Sequence, residues 1–223
     1  MEETNKPLQN FFNNFFTVAA NPRTYSNIFY LLLSFPLGIF YFVFFITGIS
    51  LGLGLIPVFI GLPLIMFMFF SANRLMAFEC MLAKGFTGVN IPLMNAREIC
   101  EGGMWKKFRA HVSDPQSWKS LAYLVAIKFP LGIFAFVLAV TLGTVSLALV
   151  FCPVIYQSIL QGAGIDIFRQ DIFSLFAPGY FSSMEKSFIY MAAGIFVTFI
   201  SLHVLNFVTY ISAKLTALMV EEW

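Results

Sequence analysis

Among the residues able to do chemistry, the two histidines, His111 and His203, are the first to weigh. His203 is followed by Asn206 and Thr209, a spacing that lines three polar side chains along one side of a helix in an otherwise apolar stretch. Such a stripe could line a cavity or hold a ligand. The simpler reading is hydrogen bonding between packed helices. His203 has no Cys, His, Asp or Glu three or four positions away and His111 has only Asp114, so no metal site is expected. Cys80, Cys100 and Cys152 form no CxxC pair and are odd in number, which points to reduced thiols. The chain has no HExxH, GxGxxG or phosphate-binding loop, and neither an enzyme nor a cofactor is expected. Arg74 and Glu79 remain, placed where an apolar stretch gives way to a polar one. They could contact a cytoplasmic loop, or anchor the chain at the interface through a weak, solvated interaction.

The elements that position these groups must live in lipid. Of 223 residues, 59% are hydrophobic and 11% charged, and the mean hydropathy is +0.84, too little polar side chain to cover a soluble domain. No Lys, Arg, Asp or Glu occurs between Arg23 and Arg74, between Lys128 and Asp166, or between Lys186 and Lys214. A helix crossing the bilayer needs only about 20 apolar residues. The fold expected is an all-α polytopic membrane bundle. A net charge of +2 gives no reason to expect nucleic acid as a partner. The acidic N-terminus, without a basic flank or a cleavage site, does not resemble a signal peptide.

The chain also repeats itself. NPRTYSNIFYLLLSFPLGIFYF from Asn21 matches DPQSWKSLAYLVAIKFPLGIFAF from Asp114. Pro22 aligns with Pro115, Tyr25 with Trp118 and Tyr30 with Tyr123. After a one-residue gap, Phe35–Phe40 aligns with Phe129–Phe134. Asn21 and Asp114 are helix-capping residue types, and a proline suits the position after them. Pro36 and Pro130 cannot donate to the carbonyl four residues earlier, so each should kink or break its helix. With Gly38 and Gly132 they are candidate hinges. Lys128 precedes the second proline and is expected to snorkel to the headgroups.

Segments 22–35 and 115–129 are therefore expected as entry helices at the interface, with four spans at about 36–56, 58–84, 130–155 and 184–217. A five-span alternative folds the stretch after Lys128 as two short helices. In the four-span arrangement most Lys and Arg share one side, so the positive-inside rule places both termini in the cytoplasm of a plasma-membrane protein. Repeat 1 covers about 21–85 and repeat 2 about 114–217, with a cytoplasmic loop at 86–118 and an outer segment at 157–183. Ile165, Phe168, Ile172, Phe173 and Phe176 would line one face of an interfacial amphipathic helix, and Phe11, Phe12, Phe15 and Phe16 suggest another. Gly48 and Gly52 form a GxxxG, a packing motif within the bundle or a homodimer contact.

The two FPLGIF runs, each following an aromatic pair, together with NRLMAFECMLAKGFTGVNIP from Asn73, resemble the putative sensor domain family at the membrane end of bacterial and archaeal histidine kinases. In that family an arginine often follows the glutamate, where this chain has Cys80. The resemblance implies a non-enzymatic helical input module. With no kinase region in the sequence, the signal would pass to a separate protein such as a kinase. A second reading is a small transporter or its accessory subunit, since repeats with Pro- and Gly-interrupted helices also occur in carriers.

Overall fold

A computed structural model describes residues 17–89, 91, 115–168 and 181–221. The helices are α1 (Pro22–Gly54), α2 (Gly61–Thr87), α3 (Pro115–Ala122), α4 (Lys128–Val150), α5 (Cys152–Ala163) and α6 (Ser183–Glu221), with a π turn, Tyr123–Ile127, joining α3 to α4. The described residues contain no strand. Among the described residues, four helical stretches are long and apolar enough to cross a membrane: Pro22–Gly54, Gly61–Thr87, Ser117–Val150 and Ser183–Val220. The described residues form an all-α bundle with four spans, and α5, at 12 residues, is too short to add a fifth.

Helix α1 starts as its sequence dictates. Asn21 accepts from the Arg23 N–H at 3.0 Å, and Pro22 is the first helical residue. It then departs from expectation, because Pro36 lies inside one uninterrupted 33-residue helix. The second segment likewise runs through Pro130, so 22–35 and 115–129 are the first turns of long helices and not separate entry helices. A proline deprives one carbonyl of its partner but leaves the rest of the ladder intact, and close neighbours can hold the helix together.

The α1–α2 turn has no polar side chain, so its backbone satisfies itself: Val58 and Gly61 donate to the Leu55 carbonyl and Phe59 to that of Ile56. Gly48 and Gly52 face α2 within the chain, where a Cβ on either would run into Met68 or Ile65. Pro57 lies in that turn and Pro153 near the start of α5, each just past the end of its span.

By contacts the chain divides into two units. One combines the described part of Met1–Thr24 with Leu138–Leu205. Inside it Ser146 bonds Ser201 at 3.1 Å, and Gly194 leaves room for the Leu149–Val150 backbone. Gly164, at φ 66°, ends α5. Ile165 and Phe168 therefore follow a helix end and do not share a helical face. Ile165 is exposed, whereas Phe168 is buried against Tyr156 and Tyr190. Ile172, Phe173, Phe176 and the stretch Phe11–Phe16 lie outside the described residues, as does most of the 86–118 loop.

The other unit combines Tyr25–Val137 with Asn206–Trp223. Here α1 and α4 meet at their FPLG runs with a reciprocal pattern. A Cβ on Gly38 would lie 3.2 Å from the Lys128 carbonyl oxygen, and one on Gly132 would lie 2.6 Å from that of Ser34. Phe35 stacks on Phe136 at 4.6 Å and Phe129 on Phe42 at 4.4 Å. Each copy of the repeat therefore offers the other the same surface, and glycine is required where the two backbones touch.

Candidate functional site

The crossing positions a charged cluster. Glu79 lies on the face of α2 that packs inward, and its side chain is fully buried, as is that of Lys128 at the start of α4. The two form an ion pair. Tyr30 donates to one Glu79 carboxylate oxygen at 3.2 Å, and Tyr41, eleven residues further along α1, donates to the other at 3.2 Å. Lys128 donates to the Tyr30 hydroxyl at 3.2 Å, with its ammonium 4.9 Å from the Tyr30 ring centre. One anion, one cation and two phenols thus tie three helices together without exposing a polar atom.

Two charges removed from water lose solvation that their attraction restores only when the remaining lone pairs and protons are also bonded. Both tyrosines serve that purpose for the carboxylate. Such a pair contributes little net stability against an apolar replacement, yet it strongly penalises any packing that separates its members. The chemistry available is therefore that of an electrostatic latch between helices.

The arrangement changes the meaning of two sequence features. Lys128 does not snorkel, because it is enclosed and has an anion to meet. Glu79 is not a solvated anchor. Arg74 is exposed on another part of α2, with its guanidinium carbon 5.1 Å from the Phe70 ring centre, and it is Lys128 that Glu79 meets. Lys128, Tyr30 and Tyr41 were outside the residues singled out as a site. The available signal was a lone lysine and a lone glutamate, each set beside an apolar segment, which suggests pairing over solvation.

Around this latch lies a belt of uncharged hydrogen bonds. Asn73 donates to Ser117 at 2.9 Å, Phe69 meets Trp118 edge to face at 4.9 Å, and the Tyr123 and Thr216 hydroxyls lie 2.8 Å apart. In the stripe named from the sequence, Asn27 donates to Asn206 at 2.9 Å, and Thr209 bonds the Asn27 carbonyl at 3.5 Å. Both residues join α6 to α1. His203, one turn earlier, is half-buried. Pro36, Gly38, Pro130 and Gly132 all lie at the α1–α4 crossing, beside the latch.

The two copies present the same faces up to this point. Thr24 and Ser117 are buried, Tyr25 and Trp118 exposed, Tyr30 and Tyr123 buried, Leu31 and Leu124 buried, and Gly38 and Gly132 buried. The π turn then interrupts the correspondence. It takes up the extra residue of the second copy, so that Lys128 falls in the place that Ser34 has in the first.

No curated protein and no solved structure matches the chain significantly. The profile of a family described as "Putative sensor" matches residues 30–219, well over half of the chain and including every member of the latch. The protein belongs to that Putative sensor family.

Proposed function

We propose that the protein is a non-enzymatic membrane sensor that passes a signal from the membrane or envelope to a separate signalling protein through a change in helix packing. The observation that carries this reading is the buried Glu79–Lys128 latch, bridging α2 and α4 and bonded to two tyrosines of α1. A buried charge pair is better suited to defining one packing against another than to adding stability. A stimulus that favours a packing with the latch open has a differential interaction to act through.

In this proposal both termini and the 86–118 loop face the cytoplasm of a plasma-membrane protein, and the loop reports to the partner. Pro36 with Gly38 and Pro130 with Gly132 serve as hinges beside the latch, while Asn206 and Thr209 hold α6 to α1. Arg74 sits at the membrane boundary, close to the loop.

The test replaces the chromosomal gene in the source organism with E79Q or K128M and compares transcript profiles with those of the parent and a deletion strain. The reading expects both variants, at normal protein levels, to alter the transcripts that the deletion alters. It fails if the variants match the parent while the deletion differs. The transporter reading is favoured instead if liposomes containing only this protein carry a solute.

A further inference from the structure

The first copy reaches its proline from Tyr30 through an unbroken α-helix, whereas the second has one more residue and places it in the π turn Tyr123–Ile127. There the Lys128 N–H bonds the Tyr123 carbonyl, five residues back. An α-helix turns about 100° per residue, so an extra residue rotates whatever lies beyond it unless a wider turn absorbs it. Where it is absorbed decides which side chain faces Glu79.

We propose that this turn is a movable register. With the extra residue absorbed before Lys128, as seen here, Lys128 occupies the place equivalent to Ser34 and closes the latch. With it absorbed after Lys128, Ile127 occupies that place and the ammonium rotates out of the cluster.

The flanks are held by contacts that do not involve Glu79, whereas the Lys128 side chain between them is held by the latch itself. Upstream, Ser117, Trp118 and Tyr123 are held by Asn73, Phe69 and Thr216. Downstream, Gly132 is seated on the Ser34 backbone. Between them Ala126 and Ile127 are exposed, so turning them inward displaces Lys128 and shifts Phe129 against Phe42, with no other buried side chain placed between. Moving the wide turn is also easier beside Pro130. An α-helical ladder would require Pro130 to donate to the Ala126 carbonyl, and proline has no N–H. The register change deepens the sensor reading by giving the latch a movement, but its test does not depend on any signalling output.

The experiment uses the full chain in membranes, with Cys80, Cys100 and Cys152 replaced by alanine and a single I127C as a target for a lipid-soluble maleimide. With Glu79 present, position 127 should label readily. E79Q leaves the buried ammonium without its anion, so the register should shift and labelling at 127 should slow by about tenfold as that position turns inward. Unfolding would accelerate labelling, so a misfolded variant cannot imitate this result. In a chain that also lacks Ala126 there is no extra residue to move, and E79Q should leave the rate at 127 unchanged. Equal or faster labelling in E79Q overturns the proposal, as does a slowing that persists without Ala126.

Discussion

The two copies of the repeat share one pattern of buried and exposed positions, yet they differ sharply in the polar groups they bury. Copy one contributes Tyr30, Tyr41 and Glu79 to the latch and has Ser34 at the position before its FPLG run, where the Ser34 hydroxyl is buried with no hydrogen-bond partner among the described residues. Copy two has Lys128 at that position, and its Tyr123 turns to Thr216 instead. Tyr41 corresponds to Ala135, which is buried but apolar. A shared scaffold thus became asymmetric through a few side chains and one inserted residue. The shape at the crossing is constrained twice over, while the charge is needed only once.

The strongest way to break this comparison is to remove one charge. K128A should destabilise the purified protein by about 3–5 kcal/mol, because the Glu79 carboxylate stays buried and unpaired, and E79A should cost less, because the ammonium can rotate out of the cluster. S34A, at the equivalent place in copy one, should be close to neutral, within about 0.5 kcal/mol. Unfolding in detergent by titrated denaturant would measure both, and equal losses would mean that the copies are energetically alike after all. E79L combined with K128M should recover most of the loss, since apolar replacement of a whole buried pair is tolerated.

Removing single hydroxyls sharpens the contrast. Y30F deprives a charged acceptor of its donor and should cost about 1.5–3 kcal/mol, whereas Y123F breaks a neutral bond worth about 0.5–1.5 kcal/mol. Identical losses in the same unfolding assay would argue that Glu79 draws little on Tyr30.

The crossing itself should respond nearly symmetrically, with a bias that the geometry defines. G132A places a methyl 2.6 Å from the Ser34 carbonyl and should cost about 1–3 kcal/mol as backbone is forced apart. G38A meets its neighbour at 3.2 Å and should cost less, which thermal melting of the two variants would rank.

The smallest effect is expected outside the spans. The Ser183 hydroxyl and the Phe168 N–H bond Asp166 and hold its carboxyl below its ordinary range. Its contribution is complete above the pKa of the unfolded chain and is lost as pH falls through the lowered folded value. D166N should therefore slightly lower the melting temperature at neutral pH and flatten the acid side of the profile, meeting the parent at low pH.

Sequence alone determined the class of this protein. Long uncharged stretches leave the backbone no choice but helix in lipid, and the paired FPLGIF runs require two related hairpins whatever their exact ends. Asn21 and Pro22 fixed where α1 begins, because a cap acts on its own first turn. Other assignments depended on neighbours. Pro36 is expected to kink or break its helix, and only contact with the second copy shows how the helix continues through it. Glu79 and Lys128 were visible as isolated charges, but each looked like an interface residue until rotation about its own helix axis was known. That rotation is set by where one inserted residue is absorbed and by how closely Gly38 and Gly132 let two backbones approach. Both are properties of packed helices, and composition, hydropathy and spacing carry no record of them.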